Sequence, residues 1–386
     1  MTAPAGYAPA VETVADVAAE HAREADENAV FPTEALAAMR RTGLLGLLVP
    51  AAEGGAGGTL PDLVDVTLAL GRVDMSVAMV FAMHCQQVAA ITAYGGEKLR
   101  AEVLPAVVRG ERYLGSVTTE AGKGGHLMTA ESALEHDGEM LRVDRQAPIV
   151  TGGPYADAFL ITTRAPGAGS AAQVDLVYAD RDQVEIEVTG GWRPLGMRAT
   201  HSVPMRLRGA VPQWQVVGEH GGFREIATTV FAPLAHVGWA AAWIGAAAGA
   251  YGRVLRHARS EAGRRQFAPS SELVLLRLAG VRARLDAAHA LLRHTVSVVT
   301  DAPDMSAAPV QLLLNTLKIR AAEESFAAAH ELVELAGLRH GYLTDSPLTL
   351  ERTFRDLRSA SLNYANDRLR LANGALSLRD PGVRLA

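Results

Sequence analysis

The hydrophobic spacing changes twice along this chain, and those two changes limit the folds open to it. From residue 10 to about 115, apolar residues recur every three or four positions, which gives a helix one apolar stripe. Segments 11–26, 33–45, 60–73, 76–93 and 97–109 read as helices, with Pro32-Thr33 as a helix start. Between them, Ala51-Ala-Glu-Gly-Gly-Ala-Gly-Gly58 is turn punctuation; no strand precedes it and the third glycine of a dinucleotide fingerprint is missing. From 116 to about 215 the pattern becomes one of short strands. His136-Asp137-Gly138 marks a hairpin between 132–135 and 140–143, and 158–163, 174–178, 184–188 and 204–207 read as further strands. From Phe223 the helical period returns. Phe231, Leu234, Val237, Ala241, Ile244, Ala248, Tyr251 and Leu255 share one face of a helix about 50 Å long. Segments 273–299, 310–336 and 348–376 give three more long helices. The expected architecture is mainly α with a central β domain: a helical domain at 1–115, a β domain at 116–215 and a four-helix bundle at 216–386.

Composition narrows the function classes. The net charge is −5, with 37 Lys+Arg against 42 Asp+Glu, so no basic excess exists to coat phosphates and nucleic acid is not an expected partner. Cys85 is the single cysteine, which excludes an intrachain disulfide framework and a cysteine-built metal site and points to the reducing cytoplasm. The 12 histidines show no pair at three- or four-residue spacing, so no metal is expected. There is no Gly-x-Ser-x-Gly elbow and no phosphate loop. The start of the chain is polar and acidic, unlike a targeting segment. Residues 226–252 carry no formal charge and are long enough to span a bilayer, but they contain Thr228, Thr229, Pro233 and His236 amid much Ala and Gly. A buried bundle helix, without membrane contact, is the expectation.

Several segments, in order, resemble the acyl-CoA dehydrogenase superfamily. Leu44-Leu-Gly-Leu-Leu-Val-Pro50 with Glu53-Gly-Gly is similar to its early helix and glycine turn. Thr118-Thr-Glu-Ala-Gly-Lys-Gly-Gly-His126 resembles the Thr-Glu-Pro-Gly-Ala-Gly-Ser-Asp loop, and Ile149-Val-Thr-Gly-Gly153 with Ala156-Asp157 resembles the Trp-Ile-Thr-Asn-Gly…Ala-Asp strand. Leu195-Gly-Met-Arg-Ala199, Arg264-Arg-Gln-Phe267 and Arg355-Asp-Leu-Arg358 continue the series to nearly the end of the chain.

The resemblance implies an N-terminal helical domain, a middle β-barrel-like domain, a C-terminal four-helix bundle, and FAD between the last two. It places Ser116, Val117, Thr118 and Thr119 along the flavin edge, Thr151 near N5, and Ile149 where the family usually has Trp. It assigns Arg264, with Phe267, to the pyrophosphate of a neighbouring subunit's FAD; Glu334-Leu-Ala-Gly337 resembles the other pyrophosphate segment. A homodimer or homotetramer is implied. Gly125 and His126 replace the Ser-Asp of the loop on the substrate side. The family's catalytic Glu position falls on Tyr364, and 226–252 carries no acid to replace it. Asp367, one helical turn away, and His236 are the substitute candidates.

Three functions remain open on this sequence. The first is α,β-oxidation of an acyl thioester, bound to CoA or an acyl carrier protein. The second is a monooxygenase or N-hydroxylase of the same fold, served by a flavin reductase and needing no carboxylate base. The third is a non-catalytic flavin or acyl binder.

Overall fold

A computed structural model of the chain describes residues 6–122, 127–267, 270–380 and 382–383. The described residues begin with five α-helices: α1 (Ala8–Asn28), α2 (Thr33–Arg41), α3 (Leu60–Gly71), α4 (Met75–Tyr94) and α5 (Glu97–Val108). Local chemistry sets their ends. Thr59 and Asp62 form a capping box at the start of α3, and the Asp74 side chain accepts the Val77 amide at the start of α4. The run expected as one helix over 33–45 is interrupted. Gly43 sits at φ 71° and ends α2, and Leu44–Gly46 follows as a separate 3-10 turn.

Among the described residues eight strands follow: β1 (Leu114–Val117), β2 (Glu135–Asp137), β3 (Met140–Val150), β4 (Ala158–Arg164), β5 (Val174–Asp180), β6 (Val184–Val188), β7 (Val203–Pro212) and β8 (Val216–Val217). They form two four-stranded sheets in the orders β1-β4-β5-β8 and β2-β3-β7-β6; among these described strands the β1–β4 pair is parallel and the other pairs are antiparallel. The hairpin turn lies at Gly138-Glu139, not His136-Asp137-Gly138, because His136 and Asp137 pair with Leu141 and Met140. Strand β3 alternates buried and exposed residues until a register shift between Ala147 and Val150. That irregularity reverses the phase and leaves Ile149 47% exposed on the face toward the bundle cavity described below.

Helices resume with α6 (Phe223–Ile226), a π-turn at Ala227–Phe231, α7 (Ala232–Arg259) and α8 (Glu261–Phe267), then α9 (Glu272–Asp301) and α10 (Ala308–Gly337). Helix α7 is the centre of the molecule and packs against α3, α4, α9 and α10. Two helical stretches, Met75–Tyr94 and Phe223–Arg259, are long and apolar enough to cross a membrane, and most of each is buried inside the protein.

The expected fourth long helix over 348–376 is two helices, α11 (Leu350–Leu357) and α12 (Asn366–Ser377). The intervening segment is irregular, with Tyr364 at φ 49°. Ser359 turns its hydroxyl onto the Asp356 carbonyl, and the Asn366 amide reaches back to Ser361 rather than to residue 362. Apolar periodicity continues through this break, so it was invisible to spacing.

Candidate functional site

A cavity of about 940 Å³ lies where the β domain meets the bundle. Its β-domain wall is built from Ser116, Thr118, Thr119, Ile149, Thr151, Thr200 and Ser202, with Trp192 and Met197 from the β6–β7 connection. The opposite wall comes from Met79, Met83 and Gln86 on α4, Phe231 in the π-turn, His236 and Trp239 on α7, Gln311 and Asn315 on α10, and Ser359, Leu362, Asn363 and Tyr364 in the break.

The β-domain wall is held by a buried ion pair. The Arg145 side chain is fully buried, donates to the carbonyls of Thr119, Thr162 and Gln146 at 2.8–2.9 Å, and meets the Glu120 carboxylate at 2.9 Å. Glu120 in turn accepts the amides of Glu131 and Ser132. The loop carrying Thr118 and Thr119 is thus anchored on both sides. The Thr119 hydroxyl donates to the Ile149 carbonyl at 2.8 Å, so its proton is already committed to linking β1's end to β3. Thr151 and Ser202 share a hydroxyl hydrogen bond at 3.0 Å, and Ser202 meets Thr200 at 2.8 Å, whose own proton goes to the Met197 carbonyl. A flavin fits this wall: the hydroxyl chain retains acceptor capacity for a polar ring edge, and Ile149, Trp192 and the methionines offer an apolar face. Val117 is fully buried in β1 and supports the wall from behind rather than lining it.

Opposite, the candidate bases separate. His236 is 5% exposed, and its ring centroid lies 6.2 Å from that of Tyr364. Desolvation first, then the positive charge of Lys318, drive its pKa down to about 3, against a weaker opposing hydrogen bond to the Leu314 backbone. At neutral pH the ring is uncharged and a weak base. Partial burial pushes the Tyr364 phenol above its ordinary value. Asp367 points away: its side chain is 92% exposed and paired with Arg370 at 2.7 Å, and it does not line the cavity. Among the described residues lining the cavity none is Asp or Glu.

The remaining expected site residues sit elsewhere on the chain. Arg264 is exposed on α8, Phe267 is buried edge-on against His257, and Gly337 ends α10 at φ 64°. None of the three lines the cavity of its own chain. Gly125 and His126 lie outside the described residues.

One residue beneath the cavity escaped sequence reasoning. Lys318, on α10, has no exposed surface; its ammonium donates to the Ala360 carbonyl at 3.1 Å, the Tyr364 carbonyl at 3.2 Å and Asn366 Oδ1 at 2.8 Å. The available signal was compositional: Lys98, Lys123 and Lys318 are the only lysines in a chain otherwise supplied with arginine, and Lys318 follows Leu314 and Leu317 on an apolar helix face.

Comparison with known proteins agrees with this architecture. Residues 8–111 match the acyl-CoA dehydrogenase N-terminal domain and residues 221–363 the C-terminal domain. The chain is 24% identical over 339 residues to mitochondrial isobutyryl-CoA dehydrogenase of Dictyostelium discoideum, covering 86% of this chain and 78% of that one. It is 31% identical over 184 residues to the amino sugar nitrososynthase RubN8 of Streptomyces rubradiris, covering 45% of this chain and 42% of that one. The fold superimposes on TdsC of Paenibacillus sp. A11-2, solved with FMN and indole, with a TM-score of 0.86 and 20% identity over 96% of this chain and 97% of that one. Motif order, three-part fold and the matched domains together establish that the chain belongs to the acyl-CoA dehydrogenase family.

Proposed function

We propose that this protein is a flavin-dependent oxidoreductase, binding FAD, that oxygenates a small substrate rather than desaturating a thioester. One observation carries the reading: the cavity is lined by no carboxylate among the described residues, while His236 is held neutral. Removing an α-proton needs a base whose pKa approaches neutrality, and neither a phenol raised further by burial nor an imidazole near 3 meets that need. Thr151 and Ser202 would help hold the flavin, which would supply hydride acceptance when oxidised and dioxygen activation when reduced. The protein's part is then positioning and exclusion. Met79, Met83, Met128 and Phe231 keep the cavity apolar, and Gln311, Asn315 and the Tyr364 hydroxyl supply neutral groups that orient a polar substituent. The partial relationship to an amino sugar nitrososynthase supports the same direction.

A second reading, α,β-oxidation of a CoA- or carrier-protein-bound acyl group, is favoured by the longer match to isobutyryl-CoA dehydrogenase and by Arg358 and Arg379 at the cavity rim, suited to an anionic carrier. The two separate in one experiment. The purified holoprotein is mixed anaerobically with butyryl-CoA, isobutyryl-CoA and the corresponding carrier-protein thioesters, then with NADH plus a flavin reductase. We expect the flavin's visible band to persist with every thioester and to bleach only with the reductase, returning on admission of oxygen. Rapid bleaching by any thioester restores the desaturase reading.

A further inference from the structure

Among the described residues the fourth bundle helix breaks between α11 and α12, and the buried cation of Lys318 lies against that break. We propose that Lys318 is a positioning residue: its ammonium interrupts the helix between α11 and α12 and thereby fixes Tyr364 in the cavity wall.

An unbroken helix would spend the Ala360 carbonyl on the amide of residue 364, and the Tyr364 carbonyl on the amide of residue 368. Here both carbonyls accept from Lys318 Nζ instead, and the Arg368 amide turns to Ala365. The third N–H of the ammonium goes to Asn366 Oδ1, at the first residue of α12. Three donors therefore meet three oxygens, one on each side of Tyr364 and one on Tyr364 itself. A lysine suits this geometry because its compact head turns freely among three acceptors, whereas a guanidinium has a fixed planar fork. Between them Tyr364 takes φ 49°, a left-handed conformation that a bulky residue seldom adopts without external restraint. The ammonium also lies 5.4 Å from the centre of the Trp243 ring on α7. Its charge is felt by His236 on the same helix. One side chain on α10 thus organises the break and adds its charge to the desolvation that keeps His236 neutral. The inference concerns the chain's own residues and holds whether the site oxygenates or desaturates.

Burial pulls the Lys318 pKa down to about 7, so its charge is titratable near neutrality. The charged and titratable groups around it are Glu323 on α10, which opposes that shift, His236 on α7, and Tyr364, itself facing Arg368.

The test is hydrogen exchange, read by mass spectrometry on the full-length holoprotein, in peptides covering 359–366. Lys318→Met should speed exchange there by about tenfold or more, as expected for losing hydrogen bonds to a charged group, while α7 and α9 peptides keep their wild-type rates. In a Tyr364→Gly background, where the left-handed conformation needs no restraint, the same change should matter less, by about threefold or under. Protection in the wild type, corrected for intrinsic exchange, should rise as pH rises through about 7, because the opened state holds the Lys318 proton more tightly than the buried one, and be flat in Lys318→Met. If Lys318→Met does not fold, Asn366→Ala removes one acceptor and is read in the same two backgrounds. Equal effects with and without Tyr364→Gly, or a flat wild-type pH profile, would overturn the proposal and reduce Lys318 to a space-filling core residue. Flavin content and thioester reactivity do not enter this readout, so its failure leaves the proposed function standing.

Discussion

Arg145 shows at the level of single residues how a polar wall is kept in place inside an apolar domain. Its desolvated guanidinium has its pKa lowered by burial, yet every direction it faces holds a carbonyl or the Glu120 carboxylate. Removing one partner of such a pair strands the other charge. We expect Arg145→Met to cost about 3–5 kcal/mol, read from the denaturant midpoint, and to release the Thr118-Thr119 loop. Glu120→Gln keeps much of the hydrogen bonding and should cost less. Thr119→Val removes the link to Ile149, and with Thr151→Val it should weaken flavin retention by about 1–3 kcal/mol without unfolding the protein; unchanged flavin affinity would take both residues out of the site.

Three buried groups also give stability a pH dependence, with signs that oppose. His84 accepts the Leu114 amide at Nδ1 and faces the Leu45 carbonyl through Nε2, and burial lowers its pKa to about 4. His236 falls to about 3. Both are protonated more readily in the unfolded chain, so the stability they contribute is present above about 6.5 and is lost as pH falls through 4 and below. Asp356 runs the other way: burial raises its pKa to about 7, the folded state holds the proton more tightly, and stability is lost as pH rises from about 4 to 7. Two histidines outweigh one carboxyl, so Tm should drop on acidification below about 6.5. His236→Asn, whatever its starting Tm, should show a shallower drop.

Among the elements, the decisive contact is α3 against α7. Three glycines let the backbones approach: a Cβ at Gly71 would lie 2.7 Å from the Ala242 carbonyl oxygen, at Gly245 2.6 Å from that of Leu68, and at Gly249 2.1 Å from that of Arg72. Gly252, one turn further along α7, would meet only the end of the flexible Arg256 side chain at 3.5 Å. Gly249→Ala should therefore cost about 1–3 kcal/mol by forcing the helices apart. Gly252→Ala should instead stabilise by about 0.5–1 kcal/mol through helix propensity alone. Thermal unfolding of the pair distinguishes packing from propensity within one helix. The close approach also seats α4, and with it Met79, Met83 and Gln86, against the cavity, where Gln86 donates to the Phe231 carbonyl in the π-turn.

At the scale of the whole molecule, apolar surface remains uncovered at one end of the bundle. Leu273, Leu275 and Leu276 at the start of α9, and Leu338 and Tyr342 after α10, are each more than half exposed. Exposed apolar side chains in such number call for a partner surface, and a second copy of the chain would bring its Arg264, Phe267 and Gly337 with it. We expect light scattering at micromolar concentration to give a dimer or tetramer, and Leu276→Glu with Leu338→Glu to shift it toward monomer. A monomeric wild type would remove this expectation.

Hydrophobic period alone determined that helices flank a β domain, because burying one face of a helix or strand imposes a local spacing. The order of the Thr118–Glu120, Ile149–Gly153 and Arg355–Asp356 segments was enough to indicate the family. Spacing could not reveal that the stretch 348–376 is two helices, since the apolar stripe continues across a break held by a lysine 46 residues away. Nor could it choose among Tyr364, His236 and Asp367. Asp367 faces solvent because of the phase at which α12 restarts after that break. His236 is neutral because α7 is enclosed on several sides and Lys318 lies nearby. Periodicity is a property of neighbours in the chain, whereas desolvation and charge depend on neighbours in space, and only the tertiary structure supplies those.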